Sequence, residues 1–202
     1  MKKFTIVDRI LLLATSLVAG FQVMVGIEGL DHVAILFYTL AFGALMVASL
    51  MLIILDREAL GRSTILFSST ILPVCLALGI VAEKIPKALT GSLLVAACGF
   101  LFLAAARLWL GSSAVRTALV MVHGLSGLII AGFPIVSVVS GSAPIAYGLV
   151  GIGGGAISLM GSSLAFQRQS IAATDNLLSR LLPALLFMVT ISFTAGMAWG
   201  KA

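Results

Sequence analysis

The chain has 202 residues, 61% of them apolar and only 9% charged, with a net charge of +5. Ordinary soluble domains are about 45–50% apolar and about 25% charged, so a water-facing surface cannot be covered and a sizeable soluble domain is excluded. The basic residues are scattered singly between apolar runs and form no basic face, which excludes a nucleic-acid interface.

One helical crossing takes roughly 20 apolar residues. The runs in this chain predict an all-α, polytopic membrane bundle of seven transmembrane helices, forming one transmembrane domain over 1–202 whose main partner is the lipid bilayer. After Met1-Lys2-Lys3 and Asp8-Arg9, the stretch Ile10–Ile27 is 18 residues long, beyond the about 7–15 of a cleaved signal. It is read as a retained first span, about Arg9–Ile27, ending at Glu28-Gly29-Leu30-Asp31-His32. Span 2 is expected over Val33–Leu55, span 3 over Thr64–Ala82, span 4 over Leu89–Leu110 and span 5 over Ala118–Val139. Span 6 is expected over Pro144–Phe166, and a polar link, Gln167–Arg180, leads to span 7 at Leu181–Gly200. No ten-residue alternation of apolar and polar residues marks barrel strands.

Lys and Arg are retained on the cytoplasmic side of a membrane. With seven spans, Lys2, Lys3, Arg9, Arg57, Arg62, Arg107, Arg116, Arg168 and Arg180 fall on one side, and Lys84, Lys87 and Lys201 on the other. The expectation is a cytoplasmic N-terminus and an external C-terminus in a prokaryotic plasma membrane. Trp109, Trp199, Tyr38 and Tyr147 lie near span ends, where interface aromatics are expected.

Two stretches look alike. Ala19-Gly20-Phe21-Gln22 parallels Ala131-Gly132-Phe133-Pro134, and Tyr38-x-Leu40 with Ser49-Leu50-Met51 parallels Tyr147-x-Leu149 with Ser158-Leu159-Met160. Tyrosine and serine are 11 residues apart in both copies, and Leu72-Pro73 parallels Leu182-Pro183. The reading is a parallel 3+1+3 pseudo-repeat, units 9–82 and 118–200 linked by span 89–110, against the alternative of chance similarity among Leu-, Ala- and Gly-rich helices. This layout resembles that of the sugar-transporting SWEET proteins and of rhodopsin-type seven-helix proteins, a likeness of topology alone. The first implies transport. The second implies a retinal-bearing lysine within span 7, where the chain offers only the terminal Lys201. Gly29-Leu30-Asp31-His32 resembles a short motif of nickel permeases, but those proteins carry further histidines and this chain has only His32 and His123.

Few residues carry chemistry at membrane depth. His123 stands beside Gly124, Ser126 and Gly127, and an ionisable group in lipid is costly and often functional. His123 with Ser126 is therefore the candidate polar site, for a proton or a solute; the plainer reading is a neutral histidine bonded to a neighbouring helix. Gly148, Gly151, Gly155, Ser158 and Ser162 share one face of span 6, and Gly124, Gly127 and Ala131 of span 5 form a stripe that would face it. Small residues let helices approach closely, within the bundle or across a homo-oligomer or larger complex through Gly151 and Gly155. Pro73, Pro134 and Pro183 are expected to kink spans 3, 5 and 7. Cys75 and Cys98 lie in adjacent apolar runs and read as small hydrophobes. No catalytic, cofactor-binding or metal-ligating constellation is evident. The two functions left are a small-solute transporter or channel, and a non-catalytic accessory or assembly subunit of a membrane complex; an intramembrane enzyme is disfavoured.

Overall fold

The structure, a computed structural model, describes residues 3–27, 29–56, 58, 63–167 and 177–200. Lys2, Glu28, Arg57, Arg62, Arg168, Lys201 and most of the expected Gln167–Arg180 link lie outside these residues. Among the described residues all regular structure is helical.

Helix α1 is Ile6–Val25 and starts earlier than the charge pattern suggests. Thr5 caps it: its Oγ1 accepts from Asp8 N at 3.2 Å, and Asp8 Oδ2 accepts from Thr5 N at 2.9 Å. This reciprocal box satisfies two N–H groups that a helix start otherwise leaves orphaned. Helix α2 is His32–Leu55, capped by the Asp31 carboxylate accepting from Val33 N. At its far end Asp56 adopts φ 56° and accepts from Phe4 N at 2.8 Å and Arg9 at 3.2 Å, binding the start of α1 to the end of α2.

Helix α3 is Ser63–Lys84, with Pro73 inside it. A short turn, Pro86–Ala88, leads to α4, Leu89–Ala105, which widens into a π turn at Ala106–Leu110 and stops at Gly111, φ +88°. Helix α5, Ser112–Gly127, follows immediately. The structure thus corrects the expected start at Ala118: Arg116 lies within α5, and Gly111 alone makes the turn. A charged residue near a helix end interrupts hydropathy without interrupting backbone hydrogen bonding. A second π turn, Leu128–Gly132, joins α5 to α6, Phe133–Val139. Pro134 has no N–H for the carbonyl four residues back, and the wider turn just before it re-registers that ladder. Helix α7 is Gly148–Gln167 and α8 is Leu177–Trp199, which contains Pro183.

Among the described residues, six stretches are each long and apolar enough to cross a membrane: Ile6–Val25, His32–Leu55, Pro86–Leu110, Ser112–Val139, Ile145–Ser162 and Arg180–Trp199. Large apolar side chains, among them Met24, Ile54, Trp109 and Val139, cover the outside. Such a surface suits a multi-pass membrane protein, where lipid solvates it.

The helices close in the order α1, α2, α3, α5, α7, α8 and back to α1, while α4 sits outside against α3 and α5. The main core is drawn from α1, α2, α3, α7 and α8, with Leu12, Phe42, Leu76, Val150 and Phe193 wholly buried. Leu103 and Ala106 form a separate small core with Val115, Ala118 and Leu119, pinning the C-terminal end of α4 to α5.

Glycine sets the closeness of the helices. A Cβ at Gly151 would lie 2.8 Å from Ile135 and 2.9 Å from the Ala131 carbonyl, and one at Gly196 would lie 2.8 Å from Val150 N. A Cβ at Gly154 would overlap Ile130, whereas one at Gly43 meets nothing. Gly154→Leu is therefore expected to lower stability by about 1–3 kcal/mol or more, the usual cost of overpacking. Gly43→Leu should leave the thermal midpoint in detergent unchanged or slightly raised; equal behaviour of the two variants would contradict this packing.

Candidate functional site

Helix α3 packs against α5 and α7 along one seam of the ring, and two groups of polar side chains lie beside it. At one end of the bundle α2 begins, α3 finishes and α7 begins. There Tyr38 Oη donates to Glu83 Oε2 at 2.9 Å, and Lys84 Nζ meets Glu83 Oε1 at 2.9 Å. Lys84 Nζ also stands 5.3 Å from the centre of the Tyr147 ring, across the seam. Tyr38 and Tyr147 are 3% and 5% exposed. The Tyr147 hydroxyl has no hydrogen-bond partner among the described residues.

This arrangement corrects the reading of the tyrosines as interface anchors. An interface residue keeps its ring outside the bundle, and Trp109 and Trp199 are 81% and 73% exposed. The tyrosines instead fill the bundle interior, and Tyr38 lies so close to Gly79 that no Cβ would fit there. Glu83 and Lys84 escaped notice because they read as the end of a span. Only folding shows that α3 continues through both, bringing Glu83 to Tyr38 from 45 residues away.

His123 occupies the middle of the α5–α6 stretch, 11 residues beyond Ser112, or roughly 16 Å at 1.5 Å per residue. It is 3% exposed. Its Nδ1 is 2.9 Å from the Leu119 carbonyl, and the ring stands near the backbone of Ser69 on α3. Gly161 of α7 makes room for it: a Cβ there would overlap the ring. His123 thus stands between α5 and α3 at the seam, with the edge of its ring against Gly161 of α7. Ser126, 6% exposed, points to other surroundings, since it lines a cavity between α3, α4 and α5. The two residues expected to form one polar site therefore serve neighbouring spaces.

The other candidates are structural. Ser158 Oγ donates to its own helix, to the Gly154 carbonyl at 2.7 Å, and leaves no place for a Cβ at Gly127. Gly151 is buried against Ala131 and Ile135 of the same chain; Gly148, Gly155 and Ser162 are half-buried. Pro73, Pro134 and Pro183 are all buried within the bundle. Cys75 is buried and Cys98 exposed, and both are free thiols.

The cluster separates stabilising from unsatisfied groups. A hydrogen bond to a charged group contributes about 1.5–3 kcal/mol, so Tyr38→Phe should lower stability by about that much, discounted for the partial exposure of Glu83. Tyr147→Phe removes a hydroxyl that bonds nothing, so its thermal midpoint should stay level or rise. Thermal unfolding of the two purified variants against the parent checks both. Comparison of the chain with protein-family models, with curated proteins and with solved structures yields no match.

Proposed function

We propose that this is a seven-span transporter for small uncharged solutes that hydrogen-bond, with α3 as the seventh crossing. Its two three-helix units would move against each other at the seam, with α4 as the link. The observation that carries this reading is the Tyr147 hydroxyl: buried at the seam, next to Glu83 and Lys84, and unpaired among the described residues. Leaving such a group unsatisfied costs about 1–3 kcal/mol, a cost repaid if a passing solute supplies the bond.

Three further features support it. His123 of α5 stands near the Ser69 backbone of α3, so the mid-depth histidine also lies between the two units. The paired residues of the repeat behave alike: Tyr38 and Tyr147 are both buried, and Ser49 and Ser158 each donate to the carbonyl four residues back at 2.7 Å. Leu72 and Leu182, each before a proline, are buried in α3 and α8. The solute is taken as neutral because the cation and carboxylate of the cluster already pair with each other.

Purified protein in liposomes should accelerate the exchange of labelled polyols, sugars or amides. Tyr147→Phe should slow that exchange by about tenfold, roughly the 1.4 kcal/mol of one hydrogen bond, without loss of folded protein. Absence of flux for every neutral solute, in either gradient direction, overturns the proposal. Tags at the two termini should be reached from opposite faces of the membrane.

A second reading, an accessory subunit of a larger complex, draws on one observation. Only 11% of the α4 span is buried, against 28% or more of the other long apolar spans among the described residues. A partner helix would cover it. Mild solubilisation followed by cross-linking mass spectrometry should then recover a partner in fixed ratio on α4; a lone species counts against it.

A further inference from the structure

The cavity between α3, α4 and α5 has a volume of about 450 Å³ and an almost wholly apolar lining. Its cause lies in how α4 is held. The Leu103–Ala106 core pins one end of α4 to α5, while the lining face of the rest carries Ala88, Gly91, Ser92, Ala96 and Gly99, too small to fill the gap to α3. The space reaches from Lys87 to Gly99 along α4, 12 residues or roughly 18 Å. Half the hydrocarbon core of a bilayer is roughly 15 Å, so the slot is as long as one leaflet is deep. It begins at Lys87, an exposed cation at the membrane boundary, and runs inward past Val95 to the level of Ser126.

We propose that this slot holds one acyl chain of an anionic phospholipid from the adjoining leaflet, with its phosphate at Lys87. Length, apolar walls and a single cation at the open end match that molecule and no water-soluble one. The site lies outside the seam, so it requires the membrane setting but not the transport reading.

The test uses the full chain in nonionic detergent, with phosphatidylglycerol as the probe and native mass spectrometry as the readout. One lipid per chain should survive stripping of the annular shell. Gly91→Phe fills the slot where a Cβ meets open space, and should abolish that retention. Lys87→Gln should weaken it about fivefold, the effect of one basic residue near an anionic surface, and erase the preference over phosphatidylcholine. The unaltered chain gives an independent measurement: a phosphatidylglycerol with a diazirine in its acyl chain should label the chain between Lys87 and Gly99 and between Val122 and Ile129. Labelling spread evenly over all lipid-facing helices, or retention unchanged in Gly91→Phe, overturns the proposal. Loss of flux in liposomes bears on the seam alone and leaves this site standing.

Discussion

Everything in this bundle depends on how closely α7 approaches its neighbours. In lipid, apolar side chains gain nothing by leaving their solvent, so helices associate through close van der Waals contact and hydrogen bonds. Each such contact is small and falls away within an ångström, which puts a premium on residues without a Cβ. On α7 these residues point in several directions. Gly151 and Gly154 admit the π turn and α6, Gly161 admits the His123 ring, and a Cβ at Gly153 would already lie 3.2 Å from Ser192 of α8. Gly196 returns the contact from α8 onto Val150. The first three helices use the same device more sparingly, with Gly20 against Met46 and Gly79 against Tyr38.

Close packing also dictates what the hydroxyl groups do. A buried hydroxyl needs a partner, and a helix offers one on its own backbone. Thr15, Ser49, Ser158 and Thr190 each donate to the carbonyl four residues back, at 2.7–2.8 Å. They are thereby spent and have little to offer a solute. Tyr38, Glu83 and Lys84 instead reach beyond their own helix beside the seam, while the Tyr147 and Thr194 hydroxyls and Arg116 Nε bond nothing among the described residues. Helix α4 stands apart from this economy. Held against α5 at one end and touching α3 only sparsely, it leaves an apolar space that neither the core nor the seam fills.

The helical character, the apolar exterior and the approximate limits of most helices were legible in the residue pattern. A lipid-solvated helix must be apolar along its length and is interrupted where charges and turn residues fall, and both signals are local. The boundaries that hydropathy misplaces are those set by specific bonding: the Thr5–Asp8 box starts α1 early, and Gly111 alone separates α4 from α5. The small-residue stripe of α7 was visible as a single face. The glycines that matter most for contact, Gly154 and Gly161, lie off it and reveal themselves only through the atoms opposite.

The sequence by itself determined that the chain forms long greasy helices with few charges between them, because chain solvation and backbone hydrogen bonding are decided residue by residue. Only the tertiary structure decided which polar groups meet. Tyr38 and Glu83 are 45 residues apart, and Ser69 and His123 are farther still. Such pairings are fixed by the rotation and depth of each helix in the bundle, which follow from the sum of many interhelical contacts and are written in no single segment.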